Sequence, residues 1–174
     1  RRTNQIPTVL YNSMIHPLIP YTIKGALWYQ GESNRLEPDK YKELLPAMVK
    51  DWRTRWEIGD FPFYYVQIAP YLYGNNEAFD SVDNSAFIRE AQLQCVDLMP
   101  NSGIAITIDI GEKYCIHPAK KKEVADRLLY NALNQTYGFS ALDYASPVYE
   151  SLETRNDTII LSFKNAENGL YSYE

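Results

Sequence analysis

Short apolar runs rich in β-branched and aromatic residues alternate along this chain with longer segments of helical period. That alternation confines it to an α/β architecture built on a mostly parallel sheet. Strands are expected at Ile23–Tyr29, Phe63–Ala69 and Ile104–Ile110. Between the first two, Asp39–Trp56 carries Leu44, Leu45, Met48, Val49, Trp52 and Trp56 at helical spacing, so one stripe faces the sheet, and Pro46 either kinks that helix or begins its regular part. Asn84–Met99 reads as a second helix, with Asn84 or Ser85 as N-cap and Phe87, Ala91 or Leu93, Cys95 and Leu98 facing inward. A third begins at Pro118 or just after it, buries Val124, Leu128, Ala132 or Leu133, and Tyr137, and ends at Gly138 as C-cap. Lys120, Lys121 and Lys122 in its first turns oppose the macrodipole, which makes them a solvated run or an anion-facing patch.

After Gly138 the helical period stops. Pro147–Leu152, Thr158–Phe163 and Leu170–Tyr173 read as short strands separated by turn residues. The expected organisation is therefore an α/β domain over residues 1–140 and a β-rich extension over 141–174, the latter cut within a strand-like pattern. The longest irregular connection is Tyr71–Asn84. At 174 residues there is room for one domain of ordinary size. A net charge of -5 argues against a nucleic-acid partner. No apolar stretch approaches the roughly 18 residues that span a bilayer, and the first residues, Arg1–Pro7, lack the apolar core of a signal peptide. Cys95 and Cys115 form neither a CxxC motif nor a zinc-ligand set; they read as buried thiols or as one disulfide. The 15 tyrosines are roughly twice average usage or more, which suits a sugar-facing cleft, an interface or packed strands.

The chain has only two histidines, the side chains that titrate near neutrality. His117 lies between an expected strand and an expected helix, in the loop where ligands bind outside the carboxyl ends of parallel strands, and is the candidate base. His16, flanked by apolar residues, reads as a packed or surface histidine. The strand Ile23–Tyr29 likewise runs into a polar loop, Gln30-Gly31-Glu32-Ser33-Asn34, where a glycine permits close backbone approach beside amides, a carboxylate and a hydroxyl. That group can form an oxyanion hole, or it can be a turn before the helix at Asp39.

The order Pro7–Ile15, Lys24–Asn34 with its Trp28-Tyr29-Gln30-Gly31-Glu32 core, Asp60-Phe61-Pro62-Phe63, Arg89-Glu90-Ala91-Gln92 and Ile116-His117-Pro118 resembles the sialate O-acetylesterases of the SGNH hydrolase superfamily. The resemblance covers about residues 7–138. It implies a three-layer αβα, flavodoxin-like hydrolase that removes O-acetyl esters from sialic acid or related sugars, without metal or organic cofactor. Carried onto matching positions, His117 is the base, Gln30 the oxyanion side-chain donor and Gly31 the tight turn beside it. Glu32 orients a neighbouring group, Ser33 and Asn34 support, and Arg89 and Tyr71 are candidates for holding the sugar. Arg89 has an equally simple reading as part of a solvated helix face.

Departures from the family pattern are specific. Its nucleophile block, a Gly-Gln-Ser-Asn type segment, and its second oxyanion block have no counterpart in these residues, so the expected site is completed by an N-terminal part supplied by the full-length chain. That full-length protein is expected in the periplasm or secreted. The family's Asp shortly before the His is replaced by Cys115 and Tyr114, leaving Asp109 and Glu112 as the nearest upstream acids. Either supports His117, or the base works without a carboxylate. Gly31-Glu32-Ser33-Asn34 mimics a nucleophile block, but Trp28-Tyr29-Gln30 before it belongs to the oxyanion segment, which argues against Ser33 as nucleophile. The rival reading is a non-catalytic carbohydrate-binding module. A nucleotide-binding domain is disfavoured because neither a P-loop nor a Gly-x-Gly-x-x-Gly run occurs.

Overall fold

A computed structural model of the chain describes residues 6–73, 85–167 and 169. Its centre is a 3-stranded sheet in the order β1 (Ala26–Trp28), β2 (Phe63–Val66), β3 (Ser102–Ala105). Both pairings are parallel, with Ala26, Phe63 and Ser102 in one row and Trp28, Tyr65 and Ile104 in another. The crossovers are α1 (Pro38–Trp56) and α2 (Ser85–Leu98); a third helix, α3 (Lys121–Asn131), follows β3. Two successive right-handed crossovers stepping in the same direction must put their helices on the same face. Phe63 and Tyr65 accordingly pack with Tyr41, Leu45, Val49, Ile88 and Cys95 from α1 and α2. Tyr64 and Val66 point the other way, against Val124 and Leu128 of α3. Burial on both faces explains why Phe63–Val66 is continuously apolar instead of alternating. The fold is a three-layer αβα domain.

The strands are shorter than the apolar runs suggest. β2 leaves the ladder after Val66 because the Ile68 N–H donates to the Gln92 side chain at 2.9 Å, not to a neighbouring strand. The third strand starts at Ser102, earlier than expected, and ends at Ala105. Beyond it, Thr107 turns: its hydroxyl donates to the Gln67 carbonyl at 2.5 Å, and the Ile110 N–H returns to the Thr107 carbonyl.

The buried helix faces keep Leu45, Val49, Ala91, Cys95, Val124 and Leu128 as expected, but each also takes in a polar residue. α1 buries Tyr41, Leu45, Val49 and Arg53 and runs through Pro46, while Leu44 stays exposed. Met48, Trp52 and Trp56 pack around that core, Trp52 edge-on to Trp28 at 5.8 Å. α2 buries Ser85, Ile88, Ala91, Gln92 and Cys95, leaving Phe87 and Leu98 in solvent. α3 buries Val124, Leu128 and Asn131, and Tyr137 is exposed. A π-helical turn, Ala132–Thr136, follows, and Gly138 takes φ 76, the left-handed geometry of a helix stop. Asn84, most of the Tyr71–Asn84 connection and Leu170–Tyr173 lie outside the described residues. An antiparallel hairpin, β4 (Val148–Arg155) with β5 (Thr158–Lys164), carries a bulge between Tyr149 and Ser151. Among the described residues no helix is long and apolar enough to cross a membrane.

Candidate functional site

Parallel strands bring three loops to one end of the sheet, their carboxyl end. The first loop follows β1. Gln30 is half-buried, and its Nε2 donates to Asn34 Oδ1 at 2.6 Å; an amide nitrogen carries two hydrogens, so one remains for another acceptor. Glu32–Asn34 forms one 3₁₀ turn, closed by the Asn34 N–H on the Gly31 carbonyl at 2.8 Å. Ser33 is exposed on that turn and Glu32 is half-buried. The Tyr41 hydroxyl donates to the Gln30 carbonyl at 3.2 Å, which fastens the end of β1 to the first helix. Gly31 is buried, and a Cβ there would stand 2.7 Å from Gln92 Nε2 and 2.8 Å from Ile68 Cγ2. Lack of a side chain is what lets this backbone sit on α2.

The loop after β3 carries His117. Glu112 Oε1 accepts from the Ala119 N–H at 2.5 Å, so a carboxylate closes the segment that holds His117 and Pro118. His117 is exposed; its backbone carbonyl accepts from the Cys115 thiol at 3.2 Å, and no hydrogen bond reaches its imidazole among the described residues. Asp109 does not serve the imidazole in this arrangement, since both its oxygens accept from Arg127, each at 2.6 Å. That pairing holds the Asp109 carboxyl below its usual range, against a smaller opposing effect of burial. Arg127 also donates to the Ile106 carbonyl, so it ties α3 to the strand end. Cys95 is buried and Cys115 exposed, both free thiols, which corrects the reading of two buried ones.

The loops touch. Lys121, at the start of α3, places its ammonium 4.7 Å from the Tyr29 ring centre and 3.5 Å from the Tyr29 hydroxyl, linking the His117 segment to the end of β1. The rest of the lysine run is solvated, with Lys122 paired to Asp126. The Leu72 N–H donates to the Lys113 carbonyl at 3.0 Å, and Gly111 lies so close to Pro70 that a Cβ would collide with its ring and carbonyl. Tyr71 is half-buried and edge-on to Tyr73 at 4.9 Å. Arg35 lies 4.5 Å over the Tyr73 ring. Arg89 is half-buried on α2, where its carbonyl accepts from Gln67 Nε2 at 3.0 Å. His16 sits apart, exposed in a 3₁₀ turn, 6.0 Å from the Tyr11 ring.

Chemically the edge offers an imidazole free to take a proton and, across the Lys121–Tyr29 contact, amide donors free to stabilise a developing oxyanion. Residues 4–123 match the family described as carbohydrate esterase, sialic acid-specific acetylesterase. The chain belongs to that family. Within it, the sialate O-acetylesterase of Mus musculus is 33% identical over 165 residues, covering 84% of this chain and 29% of the mouse protein. The Homo sapiens sialate O-acetylesterase is 34% identical over 160 residues, covering 84% and 30%. A carbohydrate acetylesterase from Xanthomonas citri has the same fold at a TM-score of 0.81, with 38% identity over 92% of this chain and 37% of that one. The chain thus spans under a third of the length of the mouse and human relatives.

Two residues at this sheet edge were not among the expected site residues, Arg35 and Gln92. Arg35 left no signal. Gln92 did: it stands four residues after Ile88 and three before Cys95, a polar letter in the middle of a buried stripe.

Proposed function

We propose that these residues form part of an esterase that removes O-acetyl groups from sialic acid or a related sugar by Ser/His acyl transfer, with the nucleophile supplied from outside this chain. What supports the reading is the meeting of the His117 and Gln30 loops at one sheet edge through Lys121 and Tyr29, in a chain of this family. A serine oxygen attacks the acetyl carbonyl while His117 takes its proton. The carbonyl oxygen becomes an alkoxide and accepts hydrogen bonds from Gln30 Nε2 and nearby amides. His117 returns the proton to the departing sugar hydroxyl, then activates a water that releases acetate and regenerates the serine. Tyr71 and Arg89 are the side chains assigned to hold the sugar in this reading, and Glu112, which accepts from the Ala119 N–H, holds the His117 loop.

The test is hydrolysis of p-nitrophenyl acetate and of an O-acetylated sialic acid by the full-length gene product and by its His117→Ala variant. Turnover is expected to fall by about 10²–10⁴-fold on loss of the base. Saccharide binding without turnover would replace the esterase by a binding module. A fluorophosphonate adduct on Ser33 would move the nucleophile into this chain.

A further inference from the structure

Gln92 is fully buried, yet every polar atom of its amide is engaged at the carboxyl end of the sheet. Its Oε1 accepts from the Ile68 N–H at 2.9 Å. Its Nε2 donates to the Gln30 carbonyl at 3.3 Å and to the Val66 carbonyl at 3.4 Å. The Gln92 backbone carbonyl in turn accepts from the Tyr65 hydroxyl at 2.6 Å, which fixes the helix carrying it. One side chain therefore joins the end of β1 to the end of β2, where the ladder between them has stopped.

The consequence lies in the peptide joining Gln30 and Gly31. Its carbonyl is held inward by Gln92 and by the Tyr41 hydroxyl. In a planar trans peptide the N–H points opposite to the C=O, so the Gly31 N–H is turned away from Gln92. No hydrogen bond consumes that N–H among the described residues. We infer that Gln92 is a positioning residue for the oxyanion hole: it orients the Gln30–Gly31 peptide so that the Gly31 N–H joins the Gln30 side chain as a donor to the reacting carbonyl oxygen. The inference rests on the esterase reading for its chemistry, and on the hydrogen bonds alone for the ordering of the loop.

Its test compares Gln92→Leu, which removes every side-chain bond, with Gln92→Glu, which keeps an acceptor for Ile68 but withdraws the donor from Gln30. Cys95→Ala, one turn along the same buried stripe, serves as the packing control. In the full-length gene product, p-nitrophenyl acetate hydrolysis should lose about tenfold or more in kcat in both Gln92 variants, with KM within about twofold, because a misaimed donor weakens the transition state and not ground-state binding of the ester. Cys95→Ala should keep both constants. Amide hydrogen exchange should show Ile68 deprotected in Gln92→Leu and still protected in Gln92→Glu. Retained kcat in either Gln92 variant, a loss shared by Cys95→Ala, or a loss confined to KM would overturn the proposal. If Gln92→Leu does not fold, Gln92→Glu decides it by the same criteria. Absence of turnover in the unsubstituted protein overturns the esterase reading itself, and unchanged Ile68 exchange in a folded Gln92→Leu overturns the ordering role independently of any activity.

Discussion

Arg53 is the most heavily bonded charged side chain of the core and gives the sharpest stability prediction. It is 7% exposed and lies on the buried stripe of α1. Its guanidinium donates to the Phe61 carbonyl at 3.2 and 2.7 Å, to Pro100 at 2.8 Å and to Asn101 at 3.2 Å, with Asp60 at 3.8 Å. These carbonyls open β2 and β3, so Arg53 gathers the amino ends of two strands as Gln92 gathers the carboxyl ends. Hydrogen bonds to charged groups contribute about 1.5–3 kcal/mol each, and their simple sum would exceed 6 kcal/mol. A groove of about 550 Å³ lined by Arg53, Gly59, Asp60 and Pro100 admits water to the freed carbonyls, so most of that sum is recovered. Arg53→Ala should therefore destabilise by about 3 kcal/mol, or roughly 6–12 °C in melting temperature at this size. Arg53→Lys should fall between, since an ammonium cannot imitate the planar fork across separate carbonyls. Urea unfolding followed by tryptophan fluorescence reads the right region, because Trp28, Trp52 and Trp56 all pack against this core. A loss below about 1 kcal/mol in Arg53→Ala, or a lysine variant as stable as the parent, would refute the reasoning.

The thiols should separate cleanly: burial pushes Cys95 up to about 11, so native protein treated with iodoacetamide at pH 8 should be alkylated at exposed Cys115 and reach Cys95 only after denaturation. Peptide mass mapping checks this, and native labelling of Cys95 would contradict its burial. Asp109→Asn should cost about 1 kcal/mol at pH 7, a modest figure because the Asp109 side chain is 55% exposed and solvent screens the pair. Asp109 has a folded pKa held below the unfolded value of about 3.9, so its stabilisation is fully present above that pH and lost as the pH falls through the folded value. The urea-midpoint gap between Asp109→Asn and parent should narrow progressively as the pH is lowered below about 4; a gap that does not narrow would assign the effect to packing.

What was legible in the sequence is what apolar letters encode. The run Phe63–Val66 is buried on both faces and could be read as a strand between helices from composition alone. The placement of Gln30 was readable because it directly follows the run Ile23–Tyr29, and that of His117 because it lies in the loop between an expected strand and an expected helix. The polar members of the helix faces and the strand ends were not, and for one reason. Arg53, Gln92 and Asn131 occupy buried stripes where a polar letter reads as solvent, so each was left out of its expected face. The Asp109–Arg127 pair was invisible because its members lie 18 residues apart on different elements. A carboxylate near a histidine in sequence was thereby claimed by a helix.

Those buried polar residues and the shortness of the strands are one fact seen twice. Strands of three or four residues leave backbone groups at both ends that no neighbouring strand can satisfy, and inside a three-layer domain water cannot reach them all. Arg53 supplies donors at the amino end, and Gln92 supplies a donor and an acceptor at the carboxyl end. On the other face, Asn131 Nδ2 reaches the Ile104 carbonyl at 3.5 Å over Gly103, which has no Cβ to block it. Longer strands would have satisfied these groups by pairing, but a ladder continued past Val66 would claim the Ile68 N–H and draw the Gln30–Gly31 peptide into the sheet. Stopping the ladder early replaces that pairing with one side-chain amide on the Gln30 carbonyl, while the Gly31 N–H, on the opposite side of the peptide plane, faces away from β2. The Gln30 carbonyl is thus held by the Gln92 amide and the Tyr41 hydroxyl in place of a strand partner, the arrangement on which the proposed role of the Gly31 N–H rests.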